Sequence, residues 1–422
     1  MLQRGKDGNA ETEYAVIKAC EAASYILRWH KSDQFISLEE KEFIDTYILF
    51  LSALPLIKFK YQHLLPMLHF KALNQDLNSY IIQKGIIRVI NKVIENVMKR
   101  IASLIQDLIS KSVEQRAVIA ELGVLDEAQQ YLQRIRSSED GMSGVIDPVC
   151  ELMSLIFEGN PQLIPIAMQE NGIVDLLVAN IYGSLTESLH NQIELLLTIV
   201  NESLDDSLQE MFRRGVIRVV INHLDSEYQN PQLKASEIIM LIVQSGSVDV
   251  KVGEQNRYRN EIQKDGTLQI LMDFFIDDKI IRAIKVNIVQ TISLLFKALP
   301  LPSEYGYEIV KVLKMQIIGI DDNKSSITLS ILCGLAECEA NHAYILSDGF
   351  IKEIEQCLKN KERKKTCCEA LHLLIALIKN GSSQTKEIIQ KGIQITLIQQ
   401  HSFSRNKKIA KVAKELIELL KD

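Results

Sequence analysis

Proline is scarce in this chain, with 8 in 422 residues. Because proline interrupts helix interiors, its rarity leaves long stretches free to be helical. Tryptophan occurs once, at Trp29. The cysteines number 7, an odd count with no CxxC pair, which argues against a disulfide framework and fits a reducing compartment. No apolar run reaches the length of about 18 residues that a membrane-spanning helix needs. Met1-Leu-Gln-Arg-Gly-Lys-Asp-Gly8 lacks the apolar core of a secretory signal, so an intracellular, cytoplasmic protein is expected, with nuclear, cytoskeletal or ciliary association left open. There is no GxSxG, no HExxH and no glycine-rich phosphate loop after a strand. The 8 histidines are scattered singly. No enzyme, no cofactor and no metal are expected from this inventory.

What the chain does have is a recurring glycine. Gly85, Gly123, Gly172, Gly215, Gly266, Gly349 and Gly392 sit in similar surroundings, as in Met211-Phe-Arg-Arg-Gly215-Val and Ile345-Leu-Ser-Asp-Gly349-Phe. Their successive gaps are 38, 49, 43, 51, 83 and 43 residues, and Gly306 in Tyr305-Gly-Tyr splits the long gap into 40 and 43. A period of this size, with each glycine closing one helical stretch and opening another, marks a stacked helical array. Apolar residues are 47% of the chain and charged residues 24%, the balance of an ordinary folded protein.

Each unit reads as a short helix ending near the glycine, a second helix, a polar break and a longer third helix. The glycine is expected to supply a positive φ, and with it a close approach of two backbones, at the corner between the first two helices. Third helices share one apolar pattern over Cys150–Phe157, Gln192–Val200, Ala235–Val243, Ile288–Phe296, Thr328–Ala336 and Cys367–Ile375. One face of each therefore needs a neighbouring unit to bury it. Longer loops are expected at Ser137–Gly144 and Ser245–Arg257.

With Ile331-Leu-Cys-Gly-Leu-Ala336 running on to Gly349-Phe-Ile351, the chain resembles the armadillo repeat family. HEAT repeats are the near neighbour but lack the regular glycine corner. The resemblance implies an all-α, right-handed superhelical solenoid of three-helix repeats. Residues 1–55 would form an atypical N-terminal cap and 56–422 an array of about eight units, with a last helix at 405–421 as the C-terminal cap. It also implies a protein partner held in a concave groove lined by third helices, as a monomer or in a hetero-complex. A scaffold or adaptor is the leading expectation. A regulator of a small GTPase or chaperone and a nuclear transport receptor for basic peptides are the alternatives.

In the importin-α branch the groove carries a Trp and an Asn four residues apart in successive units. Aligning the third helices places Glu151, Glu194, Glu237, Gln290, Ser330 and Glu369 at the tryptophan slots, and Leu155, Thr198, Leu241, Leu294, Gly334 and Leu373 at the asparagine slots. Both halves of the gripping device are missing, which disfavours import-cargo binding. A groove so lined would favour a basic and apolar peptide or helix; solvated helix faces rich in Glu are the plain alternative. Nucleic acid is not expected, because Lys and Arg do not line these positions.

Charge is uneven along the chain. Residues 351–422 hold 15 Lys and Arg against 8 Asp and Glu, a net +7, while 1–350 hold 33 against 46, a net −13. Lys407, Lys411 and Lys414 share one helix face, opposite Ile409, Val412 and Leu416, as expected of a solvated terminal helix. Cys333, Cys338 and His342, and likewise Cys367, Cys368 and His372, superficially resemble metal sets, but they fall on third helices at core spacing and read as buried thiols. Asp205-Asp206, Asp277-Asp278 and Asp321-Asp322 read as helix caps and breaks.

Overall fold

The computed structural model describes residues 124–421 apart from 138–142, 183–189, 318–320 and 361, together with a few positions between 113 and 120. The expected cap at 1–55, the start of the array from 56, and Gly85 and Gly123 lie outside the described residues, as does most of the loop expected at 137–144. Among the described residues every regular element is helical and no strand occurs. The chain divides into two compact units, Met1–Ile156 and Phe157–Asp422.

In the first unit, α1 spans Val124–Ser137 and α2 Ser143–Phe157. Leu125 and Leu132 of α1, and Val149, Cys150, Met153 and Ile156 of α2, are buried. Their spacing of three, four and seven residues puts each set on one helix face.

The second unit is a succession of repeats. The first comprises a 3-10 turn Pro161–Leu163 leading into α3 (Ile164–Ala167), α4 (Ile173–Ile181) and α5 (His190–Glu202). The next comprises α6 (Asp205–Arg213), α7 (Val216–Val220) and α8 (Gln229–Ser245). It is followed by α9 (Arg259–Lys264), α10 (Thr267–Ile276) and α11 (Arg282–Leu295). The fourth repeat lacks a first helix and holds only α12 (Gly306–Ile317) and α13 (Asp322–Leu335). The fifth has α14 (His342–Leu346), α15 (Phe350–Lys359) and α16 (Lys364–Asn380). The sixth has α17 (Ser383–Gly392), α18 (Ile395–Ser402) and α19 (Lys407–Lys421). Four of the expected third helices lie inside observed ones, and the other two, Ile288–Phe296 and Thr328–Ala336, each overrun by one residue, Phe296 and Ala336 being the C-caps of α11 and α13.

Third helices pack on one another in chain order, α5 on α8, α8 on α11, α11 on α13, α13 on α16 and α16 on α19. The core is continuous through them: Leu196 and Ile199, Ile239 and Val243, Ile288 and Ile292, Leu329 and Leu332, Leu371 and Leu374, and Val412 and Leu416 are all buried. No single repeat could enclose such a stripe, so the hydrophobic gain comes from stacking.

Gly215, Gly266 and Gly349 adopt φ of +79°, +85° and +70° at the junction of first and second helices, a conformation that costs other residues roughly 1–2 kcal/mol. The expectation of a left-handed corner fails at two positions. At Gly172 the neighbouring Asn171 takes the positive φ of 56°; glycine is needed there because a Cβ would stand 2.7 Å from the Gln169 carbonyl oxygen. Gly392 ends α17 without a positive φ, and a Cβ there would meet Ile351 at 2.7 Å.

The Asp pairs sit where caps are needed. Asp205 and Asp206 open α6, and the Asp321 carboxylate accepts from the backbone N–H groups of Asn323 and Lys324 at the start of α13. In α19 the lysines 407, 411 and 414 are exposed while Ile409, Val412 and Leu416 are buried, as the spacing requires.

Candidate binding cleft on the third helices

The third helices of the second unit enclose a cleft of about 410 Å³. Leu294 of α11, Ser330 and Gly334 of α13, and Glu369 of α16 all line it, so four of the expected groove positions come together. Ser293, Lys297, Ser326, Ile327, Ile331, Cys333 and Glu337 complete its walls, and Gln244, Ser247 and Val248 close one side.

The other expected positions differ in what they present. Glu194 and Thr198 on α5, and Glu237 and Leu241 on α8, are half-buried. Glu194 is ion-paired with Lys234 of α8, a lysine whose pKa is lowered by burial. The acidic slot on α5 is therefore neutralised by the next third helix. Thr198 turns its hydroxyl back to donate to the Glu194 carbonyl at 3.0 Å. Gln290 is only 8% exposed and Leu373 is 0% exposed; Leu373 belongs to the core and supplies no contact area. Glu151 is exposed and Leu155 half-buried on α2, in the first compact unit.

Sequence pattern did not single out the polar device at the cleft's end. Lys297 Nζ stands 2.7 Å from Glu337 Oε2, with side chains 12% and 11% exposed. The same ammonium donates to the carbonyl oxygens of Lys251 and Glu254 at 3.1 and 2.9 Å, and Gly253 N–H donates to Glu337 Oε2 at 2.7 Å. The expected Ser245–Arg257 insertion is thus tied to the ends of α11 and α13. Gly334 makes this possible, since the Lys297 stem lies 3.3 Å from where a Cβ would be. A Lys and a Glu in different repeats share no local spacing, so periodicity could not have linked them.

Ser293 is 1% exposed, and its Oγ has no hydrogen-bond partner within the protein. A buried hydroxyl left unmade is costly, and this one belongs to a cleft-lining residue. At the far wall His372 Nδ1 lies 3.3 Å from Glu369 Oε2, and this hydrogen bond raises the imidazole pKa against the opposing effect of burial. The thiol of Cys333 donates toward the Glu369 carbonyl at 3.7 Å and is held well above its ordinary pKa by burial. His342 is engaged by the Ala336 carbonyl at 2.8 Å. The Cys333, Cys338 and His342 set is not brought together as ligands; His342 is buried, but Cys333 and Cys338 are half-buried, and Cys338 and His342 lie beyond the end of α13 and not on a third helix. Among the described residues no helix is long and apolar enough to cross a membrane.

These features define an all-α repeat protein with an armadillo-like fold. No protein-family profile and no curated protein sequence matches the chain. Among solved structures, an engineered protein from a structural genomics consortium matches with a TM-score of 0.58 at 16% identity, covering 100% of this chain and 93% of that one. A designed armadillo repeat protein matches at a TM-score of 0.45 and 13% identity over 58% of this chain and 99% of its own. A computationally designed armadillo repeat protein for modular peptide recognition matches at 0.43 and 13% over 58% and 99%.

Proposed function

We propose that this chain is a non-enzymatic scaffold or adaptor that holds an extended segment of a partner protein in the cleft between α8, α11, α13 and α16. The observation that carries this reading is the cleft itself: a preformed recess on successive third helices with an unpartnered buried hydroxyl, that of Ser293, among its lining residues. A recess built on packed helices needs little ordering when it binds, so a flexible segment bears most of the entropic cost.

Its charged groups are one cation, Lys297, against two carboxylates, Glu337 and Glu369. Lys297 is fully engaged by Glu337 and two carbonyls, which leaves the Glu369 end acidic. Leu294, Ile327 and Ile331 supply apolar wall. The chemistry fits a segment offering Lys or Arg beside an apolar side chain. Free cysteines throughout the described residues accord with an intracellular, reducing setting.

Selection of binders from a random peptide display library tests the reading. The expected consensus pairs a basic with an apolar residue, and Ser330→Trp, which fills the exposed side of the cleft, should lower affinity at least tenfold without changing the far-ultraviolet circular dichroism. Binders indifferent to Ser330→Trp would place recognition elsewhere. A regulator of a small GTPase or chaperone, as opposed to a static adaptor, would additionally change nucleotide release when the partner is bound.

A further inference from the structure

Helix α16 carries a cluster of which the proposed peptide cleft uses only Glu369. Cys368, Glu369 and His372 each offer one ligand atom, and those atoms lie within 4.8 Å of one another. Helical geometry produces this grouping: residues four apart stand one turn above each other, so Cys368 and His372 share a face and Glu369 flanks them. Cys367, one residue earlier, turns the other way. It is 1% exposed and its sulfur lies 3.7 Å from His401 Nδ1. The expected set of Cys367, Cys368 and His372 therefore separates into one core thiol and two members of a different, partly exposed triad.

We propose that Cys368, Glu369 and His372 form a binding site for one zinc-class divalent cation, with solvent water completing the coordination. The donor set decides the class. Thiolate and imidazole suit zinc and cobalt, whereas magnesium and calcium require oxygen donors. Charge also balances, because one thiolate, one carboxylate and a neutral imidazole cancel the two positive charges of the ion at a partly buried place. The thiol proton leaves to solvent on binding, and the Nδ1 proton of His372 that faces Glu369 passes to Nε2 or to solvent, so that its lone pair turns to the ion.

Entry is open: the side chains of His372 and Glu369 are 44% and 29% exposed. The present 3.3 Å contact between His372 Nδ1 and Glu369 Oε2 is a donor pair that an ion would bridge. On the inner side the Glu369 backbone carbonyl already accepts from Cys333, which fixes the helix at that point. The site abuts the cleft through Glu369, but ion uptake needs no peptide.

Cobalt titration of the full-length chain, in the absence of any peptide, tests the proposal. The expected result is a set of tetrahedral visible bands with a thiolate-to-cobalt charge-transfer band in the near ultraviolet, saturating at one ion per chain and bleached by zinc. Cys368→Ser should abolish the charge-transfer band and His372→Ala should collapse the visible bands, while Cys338→Ser keeps both. Weak octahedral absorption alone in the wild-type protein, or a charge-transfer band that survives in Cys368→Ser, would overturn the assignment. The wild-type spectrum is decisive even if one variant folds poorly.

Discussion

Lys297 and Glu337, 40 residues apart, meet at 2.7 Å across the ends of α11 and α13 and together hold the 246–257 loop against both helices. The pair is nearly buried, so each charge depends on the other. Glu337→Gln removes the anion while leaving Lys297 facing two carbonyls. It should destabilise the protein by about 1–3 kcal/mol, between the values for exposed and buried pairs. Hydrogen exchange should accelerate selectively at Gly253, whose N–H loses a charged acceptor. Unchanged exchange at Gly253 would show that the loop is held by other contacts.

Asp322 links two successive third helices at their N-termini. Its carboxylate accepts from the Thr366 hydroxyl at 2.6 Å, the Thr366 N–H at 2.9 Å and the Lys365 N–H at 3.2 Å. Burial alone would raise its pKa, but these hydrogen bonds outweigh it and the net shift is downward. A carboxyl whose folded pKa lies below its unfolded value contributes stability that is complete above the unfolded value of 3.8 and is lost as pH falls through the folded one. Asp322→Ala should therefore cost about 1–2 kcal/mol at neutral pH, and the stabilities of variant and wild type should begin to converge as pH falls below 3.8 and meet once it has passed through the folded value. A gap that persists undiminished at low pH would mean the loss is packing and not charge.

Much of this architecture is legible in the residues because a solenoid writes its packing into a period. Third helices were readable because Ala235, Ile238, Ile239 and Ile242 recur at the three- and four-residue spacing that one buried face demands, and all are 0% exposed. The corner at Gly215 was readable because only glycine takes φ +79° without strain. The exceptions have local causes. At Asn171 a side chain tolerant of the left-handed region sits one residue before the glycine, and in Gly392 the small residue answers to Ile351 packing. The cleft was half legible. Positions 294, 330, 334 and 369 followed from the helix register, whereas Lys297, Glu337 and Ser293 depend on how neighbouring repeats are set against each other, which no single helix encodes.

Glu194 illustrates the difference between a pattern and a surface. By register it belongs to an acidic ladder, yet Lys234 from α8 neutralises it, and Asn230 and Lys234 both approach His190 at 3.2 and 3.3 Å. Charge reversal there is not a clean probe of partner binding. Glu194→Lys would set a second ammonium beside that of Lys234, whose side chain is 12% exposed, and should lower stability by about 1–2 kcal/mol. Lys234→Glu combined with Glu194→Lys should restore most of the loss. Thermal denaturation of the two single variants and the double variant gives the coupling, and strictly additive losses would show that the two side chains do not interact.

Asn341 has a role that no motif announced. It is 0% exposed, donates its amide hydrogens to the carbonyls of Leu299 and Leu335 at 2.9 Å each, and accepts from Leu301 N–H at 2.9 Å. The residue thereby joins the end of α13 to the Leu299–Leu301 segment that stands in place of the missing first helix of the fourth repeat. Asn256 does the equivalent work earlier, donating to the Val243 carbonyl and accepting from Tyr258 N–H at 2.9 Å each. Asn341→Leu fills similar space but leaves the Leu299 carbonyl and the Leu301 N–H without partners, while the Leu335 carbonyl keeps the Cys338 N–H, at about 1–3 kcal/mol for each group so stranded. The expected loss is about 3–5 kcal/mol in urea denaturation, because partial repacking relieves some of it. In a stacked array this loss should appear first as a lower-midpoint transition of the repeats from α12 onward, since each repeat is stabilised chiefly by its neighbours. Hydrogen exchange of α12, α13 and α16 would then rise before that of α5. A uniform rise across all repeats would instead mean that the whole unit unfolds as one block.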